Sequence, residues 1–288
     1  MKRKIRTGVT YLLVLLFVLG AGALVQQHMH SRSNAQASEE ARELAELSEQ
    51  EVPLAELPEV SEQPEEENRS KPDLRIGEEN VLPAAEPEFD DPVARSLIDV
   101  ALAELQAENP DVVGWIIIPD TPISYPILQG EDNEYYLKYN WKKERNSGGS
   151  IFMESRNSAD FTDFNTLIYG HRMRDSSMFN ALQYYEDAEF LAEHPHVYIV
   201  TTESVLVYEV FAAGKVTVTD PVYWLITTQE GYKQRMIEFC LENSGIDTDI
   251  VPKTTDHILN LSTCTSLRGS DYRWVVSAVR VGIMERTE

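Results

Sequence analysis

ILNLSTCTSLRGSDYRWVV, Ile258 to Val276, reads as two strands joined by a loop. The first run, Ile258 to Cys264, is short and apolar with β-branched character near its end. The second, Arg273 to Val279, is richer still in strand formers. Gly269 and the Ser/Asp content of Thr265 to Tyr272 mark the connection as a loop. Antiparallel pairing of the two runs would bring Cys264 and Arg273 to the loop end of one hairpin. A thiolate beside a guanidinium is a chemical arrangement, because the cation favours the charged sulfur and can also hold a developing oxyanion.

Outward from this hairpin the chain is a series of short strands and turns. Val113 to Ile118, Ile123 to Leu128, Ser150 to Met153, Thr166 to Tyr169, Val197 to Thr201 and Val205 to Thr217 all have strand composition. Strands so numerous, without helices regularly between them, predict a mainly β fold, an antiparallel barrel or sandwich. Two helices are expected beside it. Val93 to Glu108 sets Leu97, Ile98, Ala101, Leu102 and Leu105 at helical spacing after an Asp91-Pro92 cap, and should pack on the domain's flank. Gln229 to Glu242 puts Met236, Ile237, Cys240 and Leu241 on one face and ends at Asn243-Ser-Gly245, just before the cysteine strand.

Charge divides the rest of the chain. The net charge is −23, distributed as four basic and no acidic residues up to His30, five basic and nineteen acidic from Ser31 to Asp91, and sixteen basic and twenty-nine acidic beyond. No segment after the N-terminus is basic, which argues against nucleic acid as a partner. Residues 1–8 form a basic tail before an uncharged run at 9–25, long enough to cross a bilayer. That pattern predicts a single-pass signal-anchor in the cell membrane, with the remainder outside the cell. A cleaved signal peptide is the alternative, since Ala21-Gly-Ala23 and Ala35-Gln-Ala37 both fit a cleavage site. Residues 26–91, Glu-rich with almost no aromatics, are expected to be a disordered extracellular spacer, with a transient helical turn over Ala41 to Leu47. The folded domain is then 92–288.

A cysteine nucleophile needs a proton-transfer partner. In Asn165-Thr-Leu-Ile-Tyr-Gly-His171 an apolar strand stops at Gly170, which puts His171 at a strand end. His257, which opens the cysteine strand, is a competitor. His194-Pro-His196 beside Glu193 lacks a recognised metal-ligand spacing and reads as a turn. Arg268 and Arg280 compete with Arg273, but Arg268 lies within the loop and an oxyanion donor should be rigidly placed. With two cysteines in an exported chain a disulfide is conceivable. Cys240, however, sits on the apolar face of a helix, where a buried free thiol is ordinary. Taken alone, Cys264 could be a nucleophile or a buried strand residue.

TLIYGHRM at Thr166 to Met173, LSTC at Leu261 to Cys264 and RWVV at Arg273 to Val276 together resemble the sortases, and class B among them. NPDVVGWI at Asn109 to Ile116, YPILQGEDNEYYL at Tyr125 to Leu137 and GSIFME at Gly149 to Glu154 extend the resemblance, in the family's order, to the C-terminus. It implies a closed antiparallel β-barrel with an N-terminal flanking helix and a helix in the connection before the cysteine strand. It also implies a cysteine transpeptidase of a Gram-positive-type cell in which Cys264, His171 and Arg273 are the catalytic residues. No orienting carboxylate, metal or cofactor is implied. Asn133, Leu137, Ser262 and Thr263 match positions lining the family's substrate groove, although an Asn/Asp helix cap explains Asn133 equally well. Tyr223, Trp224 and Tyr232 could form the groove's other wall or simply pack in the core. The implied partners are the sorting-signal peptide of a surface protein or pilin, NPxTG- or LPxTG-like, and an amine acceptor from a cell-wall precursor or a pilin. A cysteine endopeptidase using water as acceptor, and a non-catalytic binding module, are the rival functions.

Overall fold

The computed structural model describes residues 33, 35–45, 90–225, 228–264 and 271–286, with position 264 given by its backbone. Eight strands close a barrel: β1 Val112–Ile117, β2 Ser124–Leu128, β3 Ile151–Met153, β4 Asn165–Gly170, β5 His196–Val200, β6 Ser204–Thr217, β7 Ile258–Cys264 and β8 Tyr272–Glu285. Their order around the barrel is β1-β2-β3-β4-β7-β8-β6-β5. The expected mainly β, closed-barrel architecture holds, and each run read as a strand is one. Most pairings are antiparallel, but β2 with β3 and β4 with β7 run parallel.

Alternation along the strands divides the core. Residues such as Ile116, Ile127, Leu259, Leu261, Val276 and Ala278 share one cluster with Phe179 and Tyr185. On β7 and β8 the intervening positions turn the other way. Ile258, Val275 and Val279 join Phe211 beneath Met236, Ile237 and Cys240 of a helix at Glu230–Glu242. This is the helix expected before the cysteine strand. A third cluster lies on the opposite flank, where Trp115, Val205 and Val207 meet the N-terminal helices.

Those N-terminal helices depart from expectation in two ways. The single helix read over Val93 to Glu108 is two, Pro92–Ser96 and Leu102–Glu108. Asp91 caps the first, accepting from the Ala94 amide. The break leaves the Ala101 amide to donate to the Ala45 carbonyl at 3.0 Å, a bond an unbroken helix would have used internally. Its acceptor closes a further helix over residues 35–44, which lies inside the stretch read as a spacer. Ala37, Ala41 and Ala45 are buried against the flank, Trp141 Nε1 donates to the Ala37 carbonyl at 2.6 Å, and Glu40 pairs with Lys142. Alanine at every fourth position is small enough to let this helix lie close to the barrel and costs nothing in helix propensity. The remainder of 46–89 lies outside the described residues.

The expected localisation, a single-pass membrane protein with its catalytic domain outside the cell, is corrected. Among the described residues no helix is long and apolar enough to cross a membrane. Helix Glu230–Glu242 has 13 residues, and at ~1.5 Å per residue it falls well short of a hydrocarbon core about 30 Å thick. The basic tail 1–8 and the apolar run 9–25 lie outside the described residues.

Candidate active site

Strand direction builds the site. Because β4 and β7 are parallel, with Gly170 opposite Thr263, both reach the same rim of the barrel with their C-terminal ends. His171 follows Gly170 directly. β8 runs back from that rim antiparallel to β7, and its register sets Arg273 opposite Cys264. Position 171, just past the end of β4, and positions 264 and 273, on β7 and β8, therefore lie at one end of three adjacent strands, whose neighbours are about 5 Å apart. Arg273 is half-buried, and its Nη1 donates to the Tyr272 carbonyl at 2.9 Å.

His171 is held from two sides. Its Nε2 lies 2.9 Å from the Leu137 carbonyl, which can only accept, so Nε2 carries a proton. Its own carbonyl accepts from the Phe179 amide at 3.0 Å. Leu137 thus touches the site through its backbone, at the end of the 3₁₀ turn Tyr135–Leu137. Asp132 caps that turn by accepting from the amides of Glu134 and Tyr135. Asn133 is consequently left for another task. Its Oδ1 accepts from the Ser155 amide at 2.8 Å, and its Nδ2 donates to Glu154 Oε2 at 2.7 Å.

Glu154 is a functional candidate that sequence reasoning passed over. Only 2% exposed, its carboxylate also accepts from Tyr169 Oη at 3.1 Å and Arg156 Nε at 2.8 Å. Burial, with Glu154 second, pushes the Tyr169 phenol up, so it remains a donor. Tyr169 is opposite Ser262 in the β4–β7 register, and Ser262 Oγ lies 2.7 Å from Tyr223 Oη. Asn133, Glu154, Tyr169, Ser262 and Tyr223 thus line one polar wall leading to the rim. The aromatic reading divides: Tyr223 joins this wall, whereas Trp224 and Tyr232 pack edge-on with ring centroids 5.6 Å apart. Thr263 alternates to the opposite face, with Leu261 and Trp274; it is 2% exposed and its Oγ1 has no hydrogen-bond partner among the described residues. The structure brings Ser262 to the wall and takes Thr263 away from it.

The competitors are elsewhere. His257 is at the far end of β7, with Nδ1 3.0 Å from the Asp163 carbonyl. Arg280 lies seven residues along β8 from Arg273, or ~23 Å. Arg268 lies outside the described residues. His194 ends a short helix with Nδ1 3.0 Å from the Pro119 carbonyl, and no metal-holding cluster occurs among the described residues. Cys240 is a buried free thiol, and burial pushes it up to about 11.

Residues 116–281 match the family model of the sortase domain, more than half of the chain. The chain belongs to the sortase family. It is 41% identical over 170 residues to sortase B of Listeria monocytogenes, covering 57% of this chain and 66% of that one. To sortase B of Staphylococcus aureus it is 30% identical over 177 residues, covering 62% and 72%. The solved S. aureus sortase B–substrate complex superposes with a TM-score of 0.60 at 31% identity, covering 63% of this chain and 84% of that chain. Both sequence relatives are class B, and so is the sortase described here, a member of a family of cysteine transpeptidases. The conclusion rests on the sequence that forms the barrel, since the matched span begins in β1 and ends in β8.

Proposed function

We propose that this sortase cleaves the C-terminal sorting signal of a surface protein or pilin and transfers the new carboxyl end to an amine, with residues 92–288 as the catalytic unit. The Cys264 thiolate attacks the carbonyl preceding the scissile bond, that of Thr in an NPxTG- or LPxTG-like signal. Arg273, aided by a backbone N–H near Cys264, holds the tetrahedral oxyanion. His171 gives its proton to the leaving amine as the C–N bond breaks, leaving a thioester. An acceptor amine from a cell-wall precursor or a pilin lysine then attacks the thioester. His171 takes the proton back, and collapse of the second tetrahedral intermediate releases the amide and regenerates the thiolate. With Nε2 engaged by the Leu137 carbonyl, Nδ1 is the nitrogen that exchanges the proton. Asn133, Tyr169, Ser262 and Tyr223 line the peptide's path, and Leu137 serves through its carbonyl.

The observation that carries the reading is the register: parallel β4 and β7 end together where β8 begins, so His, Cys and Arg positions share a rim. The solved relative in complex with substrate supports a peptide as ligand. The test is turnover of a sorting-signal peptide by the full chain, with and without an oligoglycine or diaminopimelate amine. The expected product is the amide when amine is present, and Cys264→Ala abolishes it. Cleavage by Cys264→Ala would overturn the mechanism, and free acid as the sole product in excess amine would make the enzyme an endopeptidase. Arg273→Lys should also lose most activity, because an ammonium does not reproduce the guanidinium fork.

A further inference from the structure

Behind the groove, a relay of buried polar side chains crosses three neighbouring strands and ends on a loop. Ser277 Oγ on β8 donates to Asn260 Oδ1 on β7 at 2.6 Å. Asn260 Nδ2 donates to Asn165 Oδ1 on β4 at 2.7 Å. Asn165 Nδ2 then donates to two carbonyls, Val222 at 3.0 Å and Trp224 at 2.9 Å. The direction is forced. Both carbonyls can only accept, so the Asn165 amide nitrogen must face them, its oxygen must face the Asn260 nitrogen, and Ser277 must donate. All three side chains are buried, Asn260 completely.

Such a relay is an expensive way to fill space beside an apolar core, since every buried polar group has to be paired. What it gains is a fixed loop. Val222 and Trp224 flank Tyr223 in the 3₁₀ turn Pro221–Tyr223, and Tyr223 Oη is the group 2.7 Å from Ser262 Oγ. Ser262 lies two residues before Cys264. Relay and groove share a face: positions 260 and 262 alternate to one side of β7.

We propose that Asn165, backed by Asn260 and Ser277, is a positioning residue that sets the height of the Pro221–Trp224 loop, so that Tyr223 meets Ser262 and the wall binding an extended peptide has one shape. The proposal rests on the reading of this groove as the sorting-signal site. Asn165 acts through Tyr223 and touches no substrate itself.

The test is a double-mutant cycle in the full chain, reading kcat and KM for a sorting-signal peptide. Tyr223→Phe keeps the ring and removes the hydroxyl; KM is expected to rise about three- to tenfold, the scale of one lost hydrogen bond. Asn165→Ala is expected to raise KM at least as much. The double variant should be no worse than Asn165→Ala alone, because the loop that presents Tyr223 is already released. A purely structural role predicts otherwise: less folded enzyme lowers kcat and leaves KM unchanged. Effects on KM that multiply, or a folded Asn165→Ala with wild-type KM, overturn the proposal. Should Asn165→Ala fail to fold, Ser277→Ala carries the same test from the far end of the relay, with a raised KM expected and an unchanged KM overturning. Cys264→Ala keeps the two readings apart. Turnover that survives it sinks the transpeptidase reading and this proposal together, whereas Cys264-dependent turnover with a multiplicative cycle sinks only the proposal.

Discussion

Gly170→Ala isolates the packing that sets His171 in place. A Cβ added at Gly170 would lie 2.5 Å from Ile151 Cδ1 and 2.7 and 2.8 Å from Cδ2 and Cγ of Phe179. Carbon atoms in contact prefer about 3.5–4.0 Å, so roughly 1 Å must be found. The backbone of Gly170 is not in the left-handed region, so the strain is purely steric. Ile151 Cδ1 is a side-chain tip and can rotate away at about 1 kcal/mol. Phe179 cannot, because its ring is fully buried and its amide is bonded to the His171 carbonyl. Relief has to come from the end of β4, and His171 moves with it. Overpacking of this kind costs about 1–3 kcal/mol, which for a domain of this size lowers Tm by roughly 2–12 °C. Displacing His171 by a few tenths of an ångström to 1 Å should slow acylation by about 10- to 100-fold. Thermal unfolding and single-turnover thioester formation read the two effects separately. Phe179→Leu added to Gly170→Ala should recover part of both. A Gly170→Ala protein with wild-type Tm and acylation rate would refute the steric argument, and a lowered Tm with an unchanged rate would refute its link to His171.

Other consequences can be measured independently. With the Cys240 thiol buried and pushed up to about 11, a thiol-specific reagent at pH 8 should label one cysteine in the native full chain, two after denaturation and none in native Cys264→Ala. The same shift gives a pH slope: the folded thiol ionises at higher pH than the unfolded one, whose ordinary value is 9.0. Cys240 therefore contributes stability that is intact below pH 9.0 and is lost as pH rises toward about 11. Urea titrations across that window should show a decline that Cys240→Ala flattens. Glu154→Ala leaves the donors of Asn133, Tyr169 and Arg156 without their acceptor, and should cost about 1–3 kcal/mol of stability while raising KM for peptide; a wild-type urea midpoint would contradict this. Trp141→Phe removes the bond to the Ala37 carbonyl and keeps only part of the ring's packing. It should release the helix over 35–44 by about 1 kcal/mol, seen as faster amide exchange there with little change in the barrel.

The strands were legible because each carries its own short-range signature. Val205 to Phe211 is dense in β-branched and aromatic residues, and the strand it starts runs from Ser204 to Thr217. Helix boundaries were less legible because tertiary bonds decide them. Nothing in Leu97 to Ala101 announces a break; the break follows from the Ala101 amide finding the Ala45 carbonyl, dozens of residues away. The helix over 35–44 was masked by composition. Glu39, Glu40 and Glu43 make the segment read as a solvated spacer, while the signal lay in the spacing of Ala37, Ala41 and Ala45, whose burial depends on a partner surface the local sequence does not contain.

The site divides along the same line. Chemical identity is local, so Cys264, His171 and Arg273 could be named as candidates by residue type and motif, and the β7–β8 hairpin that sets Cys264 opposite Arg273 followed from two adjacent runs. That His171 arrives at the same rim depends on β4 and β7 being parallel, a pairing between segments separated by some ninety residues that no hairpin signal reports. The supporting residues are harder still to see. Glu154, Asn165 and Asn260 are polar residues in apolar strands or at their ends, which in a single sequence look like interruptions of a core pattern. Their meaning appears only when a carboxylate faces three donors, or an amide faces two carbonyls, across elements distant in the chain. Glu154, Asn165 and Asn260 therefore fix the chain segments from which the proposed peptide groove is built. The urea midpoint of Glu154→Ala and the KM of Asn165→Ala test that role at two points of the proposed groove.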